Sequence, residues 1–260
     1  MPNKPPREGR NSPLPRLAKT RLTPPPSVSV VVPALNEERL VGNLLSDLER
    51  QTRKPQEVIL VDAGSDDDTV AVAQGFANVR VLHGERPVAK GRNLGGLNAS
   101  GHIVIFLDAD ARLPETFLER FVEAFWQRRL DVACPLYKPY ESTRAVERFH
   151  DVFNLTTRAF QKVLPSGAGI CLAVRGDLFR RSDGFDPRLK FDDIEFIRRA
   201  SRGRKFGIVE EPMFVSDRRY RERGVTRTIL EYALMALIFA LGRFEWANRF
   251  DYEVGEHAPW

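Results

Sequence analysis

Val28-Ser29-Val30-Val31-Val32-Pro33-Ala34-Leu35-Asn36-Glu37-Glu38 is the stretch on which the fold turns. Its first five residues form a β-branched run that reads as a buried strand stopped by Pro33. Asn36 then resembles a helix N-cap, because Leu40, Val41, Leu44, Leu45 and Leu48 follow at helical spacing. The same alternation continues along the chain. Residues 57–62, 79–82 and 103–107 read as strands, and residues 68–76, 90–98 and 115–127 as helices. Strand and helix alternating at this interval imply βαβ units and a mostly parallel sheet. Beyond Asp131 the pattern loosens: 132–134 reads as a strand, 144–163 as a helix and 169–174 as extended.

Upstream of Val28 the composition changes. The chain has 260 residues and a net charge of +5. Residues 1–27 hold six bases against one acid, a surplus equal to the whole net charge, and eight of the 18 prolines. They read as a solvated, disordered arm, with a basic contact to anionic lipid or nucleic acid as the alternative. The remaining chain is neutral in sum, so its pI does not argue for nucleic-acid binding. Cys134 and Cys171 stand in no CxxC pair, which argues against a zinc site and suits a reducing compartment without excluding one bridge. No apolar signal segment opens the chain.

In an open parallel sheet, ligands bind outside the carboxyl ends of the strands. Three strands end in polar groups there: Asn36-Glu37-Glu38, the Asp62 to Thr69 turn, and Asp108-Ala109-Asp110. Two acids one residue apart at a strand exit repel unless a cation sits between them. Mg²⁺ or Mn²⁺ suits such oxygens and leaves positions open for a diphosphate. A solvated cap before Pro114 is the competing reading. No G-x-G-x-x-G or P-loop pattern follows any strand. Lys90-Gly91-Arg92-Asn93 opens a helix, where Arg92 either meets phosphate or bridges to a strand-end acid.

Four blocks together resemble the family 2 nucleotide-sugar glycosyltransferases of the GT-A fold. They are Val31 to Glu38, Val61 to Thr69, Gly91-Arg92-Asn93-Leu94-Gly95 and Phe106 to Asp110, within a match spanning roughly 27–227. The resemblance implies a Rossmann-like, mostly parallel sheet flanked by helices over 28–227, with an apolar C-terminal helix and tail over 228–260. It implies that Pro33, Leu35 and Glu37 lie along the nucleoside and that Asp62 sits in the nucleobase block. Many relatives carry a second Asp where this chain has Ala63, which leaves UDP and GDP both open. Arg92 is then expected near the diphosphate, Asp110 as the main Mn²⁺ or Mg²⁺ ligand, and Asp108 as its support or a ribose contact.

The second half supplies the acceptor side under the same resemblance. Gly167 and Gly169 fall in a small-residue loop near donor sugar and acceptor; an ordinary turn is the alternative. Asp193 matches the catalytic base, with Asp192 where relatives carry Glu; a helix cap is the competing reading. Arg218, Arg219 and Arg221 match a segment near the diphosphate. Residues 229–244 are apolar except Glu231 and Arg243, too few to span a bilayer. This helix either packs on the body or docks on anionic membrane together with the ten bases of 198–227. Trp246, Phe250 and Tyr252 suit both.

The expectation is a metal-dependent glycosyltransferase moving a sugar from a UDP- or GDP-sugar to an acceptor hydroxyl with inversion. The acceptor is a lipid, a glycan or a small molecule, and nucleic acid is not a partner. The expected location is cytoplasmic, with peripheral contact at the inner face of the cell membrane. The rivals are a sugar-nucleotide pyrophosphorylase, which would need a Gly-rich loop after the first strand, and a non-catalytic nucleotide- or glycan-binding protein of the same fold.

Overall fold

The computed structural model describes residues 26–140 and 142–249. Most of the basic arm, with Phe250 and Tyr252, lies outside the described residues. The arm's last two residues are already tied down: the Pro26 carbonyl accepts from Arg53 and Ser27 N donates to His102 Nδ1.

The first half is β1 (Val28–Ala34), α1 (Val41–Arg50), β2 (Glu57–Asp62), α2 (Thr69–Gln74), β3 (Val79–His83), α3 (Val88–Asn98), β4 (Ile103–Leu107) and α4 (Phe117–Gln127). The second half is β5 (Val132–Pro139), α5 (Arg144–Phe160), β6 (Cys171–Arg175), α6 (Gly176–Arg180), α7 (Asp192–Ala200), β7 (Phe206–Val215), α8 (Arg218–Arg223), α9 (Val225–Ala240) and α10 (Phe244–Ala247). The seven strands form one sheet in the order β3-β2-β1-β4-β6-β5-β7. Only β6 runs antiparallel to its neighbours. Every residue of β1 and β4 is buried, as expected of strands covered by helices on both faces.

Two local expectations are corrected. β1 continues through Pro33 to Ala34. Pairing with β4 ends at Val31 and Phe106, while the Ala34 carbonyl accepts from Ala63 N on the β2 side. Pro33, one residue earlier, therefore turns its nitrogen towards β4, where the ladder has stopped and no donor is needed. Asn36 is not a helix cap either. It has φ 54°, and α1 begins only at Val41. Asn tolerates this left-handed conformation, which turns the chain sharply out of the sheet.

Strand order reverses about β1, with β2 on one side and β4 on the other. That switch point opens a crevice at the carboxyl ends of β1, β2 and β4. α3 closes on it from behind. A Cβ at Gly95 would stand 2.3 Å from Val31 Cγ1, so only glycine lets this helix approach β1 so closely. Cys134 and Cys171 are free thiols inside the core.

α9 has two apolar sides. Met235, Ile238 and Phe239 bury against Phe191 and Ala247 in a small second core. Leu230, Leu234 and Leu237 on the same helix, and Leu241 just past its end, stay exposed. No helix among the described residues is long and apolar enough to cross a membrane.

Candidate active site

The loops after β1 and β2 are laced together. Asn36 N donates to Ser65 Oγ (2.9 Å), Glu37 N to Thr69 Oγ1 (2.7 Å) and Glu38 N to Asp67 Oδ2 (3.1 Å). In return Asp66 N donates to Asn36 Oδ1 and Asp68 N to Glu38 Oε2. The acid-rich turn therefore satisfies the backbone of the first loop. Asp62 is buried and accepts from Gly64 N and Ser65 N, so its carboxylate shapes its own turn. Pro33 is buried within β1, and Leu35 is half-buried just beyond it.

The β4 exit brings the carboxylates together. Burial and the Asp108 charge push Asp110 up to about 6, with Arg218 and Arg219 opposing. Burial, then Asp110, pushes Glu37 up to about 8, again with Arg218 opposing and Asp108 and Asp67 adding. Carboxyls with such values crowd one another in a place that favours added positive charge. Among the described residues, no group of three or more His, Cys, Asp or Glu side chains forms a complete metal cage. A site of one or two carboxylates completed by substrate phosphates fits both observations.

Two ties set where this segment lies. Buried Asp47 on α1 accepts from Arg112 Nε (2.6 Å) and Leu113 N (3.1 Å). Arg112 and Phe214 exchange backbone bonds of 3.0 and 2.9 Å, bringing the end of β7 alongside. Arg218 and Arg219 thereby come within electrostatic reach of Asp110. Arg221 instead pairs with Asp217 at 2.6 Å and is largely exposed.

Arg92 is held between carboxylates. It is 5% exposed, and Nη1 donates to both Asp192 oxygens at 2.9 and 3.0 Å. Nη2 donates to Asp108 Oδ1 at 3.0 Å. Burial disfavours its charge, yet Asp192 and Asp108 hold its pKa above the ordinary value. Both terminal nitrogens are thus engaged in joining α3, the β4 exit and the start of α7. The alternative of a bridge to a strand-end acid is the one observed.

Asp193 follows Asp192 in the first turn of α7. Burial and the Asp192 charge push its carboxyl up to about 6, with Arg92 opposing. A base with such a value is ionised at neutral pH and only weakly stabilised as the anion. Gly169 presses against it: an added Cβ would lie 2.6 Å from Asp193 Oδ2. The loop carrying Gly167 and Gly169 hangs on buried Tyr137, whose hydroxyl donates to the Ala168 (2.8 Å) and Cys171 (3.0 Å) carbonyls. Asp108 N donates to Ile170 O at 3.0 Å, joining this loop to the β4 exit.

A cavity of about 450 Å³ opens beside Asp193. Arg92, Asp108, Asp192 and Asp193 form its acidic end, and Gly167 and Gly169 part of its wall. α5 and α9 supply much of the remaining wall, including Phe149, Phe153, Tyr232 and Phe239, and Lys190, Arg198 and Tyr220 add to it. Sequence reasoning missed these residues, because an aromatic at helical spacing reads as core. The available signal lay in α9 alone, which is apolar over more than the one face a body-packed helix needs, whereas α5 carries a charged face.

The glycosyl transferase family 2 model matches residues 29–182. AglE, a glycosyltransferase of Haloferax volcanii, is 34% identical over 188 residues, covering 68% of this chain and 62% of AglE. EpsJ, an uncharacterized glycosyltransferase of Bacillus subtilis, is 32% identical over 125 residues, covering 46% and 36%. The chain thus spans less than two thirds of the length of either relative. Among solved structures, a Pyrobaculum calidifontis mannosyltransferase in complex with GDP-Man and Mn²⁺ superposes with TM-score 0.62 at 24% identity, covering 74% of this chain and 57% of that one. S. aureus TarS 1-349 in complex with UDP gives 0.59 at 21%, covering 73% and 60%. These two likenesses concern the fold, whose mostly parallel sheet and switch-point crevice this protein shares. With the family match covering more than half its length and the four sequence blocks gathered at that crevice, the chain belongs to glycosyl transferase family 2.

Proposed function

We propose that this protein transfers a sugar from a nucleoside-diphosphate donor to an acceptor hydroxyl in one inverting displacement, with Asp193 as general base. The acceptor O–H gives its proton to the Asp193 carboxylate as the oxygen attacks the anomeric carbon. The bond from that carbon to the phosphate oxygen breaks, and its electron pair leaves with the nucleoside diphosphate. Arg218 and Arg219 offset charge on the departing diphosphate. Asp110, with Asp108, would hold Mn²⁺ or Mg²⁺, which supplies Lewis-acid stabilisation of the leaving group when bound. The loops bearing Pro33, Leu35, Glu37 and Asp62 form the nucleoside side, with Pro33 and Asp62 acting from beneath as supports. Arg92 acts by positioning Asp192 and Asp108, and Arg221 by pairing with Asp217.

One observation supports this reading above others. Asp108 belongs to the carboxylate cluster, and it also lines the cavity that contains Asp193. The diphosphate and acceptor sides therefore meet across a single residue. The testing experiment is a thermal-shift series with UDP and GDP, each with and without Mn²⁺. Binding to the native state alone raises Tm by linkage, by about 2.7 kcal/mol of stability at a hundredfold excess over Kd. Stabilisation by one nucleotide that requires Mn²⁺ supports the proposal. No stabilisation by either nucleotide under any condition refutes it.

A further inference from the structure

The cavity beside Asp193 is far larger than one hydroxyl needs, and its chemistry changes along its length. Its volume of about 450 Å³ lies in the range of small-molecule sites. Acids line it only at the end formed by Asp108, Asp192 and Asp193. Away from that end the walls are mainly aromatic and aliphatic, the charged side chains there are the cations Lys190 and Arg198, and neutral polar ones include His150, Thr156, Ser166 and Tyr220. Arg198 is half-buried, donates to the Phe239 carbonyl and pairs with no carboxylate among the described residues.

The mouth is apolar as well. Val152 and Phe160 on α5 line the cavity yet are 59% and 58% exposed. Across from them, Ala233 and Ala236 on α9 line it and are exposed, flanked by Leu234 and Leu237. Large apolar side chains on both rims, around an open apolar cavity, form a contiguous patch of the kind that marks an interaction site. Several polar side chains on these walls are already engaged within the protein: the Thr156 and Thr157 hydroxyls donate to carbonyls of their own helix, the Tyr137 hydroxyl donates to the Ala168 carbonyl, and the Tyr220 hydroxyl lies 3.3 Å from His150 Nε2. They are poorly placed to serve a glycan, whereas a hydrocarbon chain entering between the apolar side chains would release water from both surfaces.

We propose that this cavity seats the hydrocarbon chain of an amphiphilic acceptor, with the acceptor hydroxyl at Asp193 and the chain running between α5 and α9. The inference rests on the transferase reading, and it narrows the acceptor to a lipid-like alcohol or lipid-linked sugar. The exposed apolar rims then face the surface from which such an acceptor is drawn.

The test compares two probes with the same sugar hydroxyls, methyl β-D-glucoside and n-octyl β-D-glucoside below its micelle concentration. Both are titrated calorimetrically into the full chain. Each buried methylene strengthens binding by up to about fourfold. The octyl probe should therefore bind at least tenfold more tightly than the methyl probe, with a negative heat-capacity change. Ala236→Trp places a bulky side chain at an exposed position on the mouth, where folding is not at stake, and should remove that preference. UDP and GDP with Mn²⁺ are titrated in parallel. Equal binding of both probes beside intact nucleotide binding overturns this inference and leaves the transferase reading standing. Failure of both nucleotides to bind overturns the transferase reading itself. A second copy of the chain covering the rims would appear as a dimer in sedimentation with no octyl preference, and would also overturn it. An octyl preference that survives Ala236→Trp places the chain elsewhere and overturns the assignment to this cavity.

Discussion

Replacing Arg92 by Met separates a structural anchor from a substrate contact. The guanidinium lies 2.9 and 3.0 Å from the two oxygens of Asp192, a side chain only 1% exposed, and 3.0 Å from Asp108. Asp108 can be rehydrated, because a third of its side chain reaches solvent. Asp192 cannot, so the variant leaves a buried carboxylate without its cation. Breaking a buried pair in this way costs about 3–5 kcal/mol. For a domain of this size that lowers Tm by roughly 10 °C. The loss has a pH signature. Burial already holds the folded-state pKa of Asp192 above its ordinary value against the opposing pull of Arg92, and without Arg92 it rises further. The penalty is therefore present above that raised value and fades as pH falls through it, when Asp192 takes up a proton. Adding Asp192→Leu removes the stranded charge and should recover most of the loss, since apolar replacement of a buried pair is often neutral or better. Urea denaturation of the wild type, both single variants and the double variant at pH 5 and 8 measures all of this. If Arg92→Met keeps the wild-type midpoint while nucleotide diphosphate binding collapses, Arg92 is a phosphate ligand and not an anchor.

Other outcomes follow from the same geometry. With Asp193 pushed up to about 6, kcat/KM should fall tenfold per pH unit below about 6 and level off above it, read from a pH–rate profile. Gly169→Ala forces a Cβ to 2.6 Å from Asp193 Oδ2 and should lower kcat by about a hundredfold while nucleotide affinity is kept, as steady-state kinetics with a nucleotide titration would show. Asp110→Asn should stabilise the metal-free protein by up to about 3 kcal/mol at pH 7.5 and abolish the Mn²⁺-dependent nucleotide shift. The sign is set by its pKa, raised from 3.8 to about 6: ionised Asp110 costs stability above about 6, and the cost fades as pH falls through that value.

The first four strands were legible because each is a short apolar run bounded by polar turns, and because helices of opposite periodicity separate them. The strand-end acids were legible for the same reason, since a buried strand leaves its exit residues little choice of place. β7 was not read, because charged Glu210 and Glu211 and Pro212 interrupt its apolar residues midway; its register shift relative to β5 accommodates them. The Asn36 turn was misread because a left-handed Asn and a helix cap draw on the same residue type. Arg92 illustrates a deeper limit. Its position at a helix start suits phosphate, and only the hundred-residue contact to Asp192 shows where its charge is used. The cavity was illegible for a related reason: α5 has the pattern of an ordinary amphipathic helix, and the space between it and α9 exists only in the packed molecule.

In the proposed reaction Asp193 takes the acceptor proton while separate groups hold the nucleotide. Its most direct test is a paired measurement on wild type and Asp193→Asn, with the donor sugar of whichever nucleotide stabilises the protein. Nucleotide Kd in calorimetry should be equal in the two proteins, and transfer should fall at least a hundredfold in the variant. Turnover within a few fold of wild type in Asp193→Asn, with the nucleotide still bound, would contradict it.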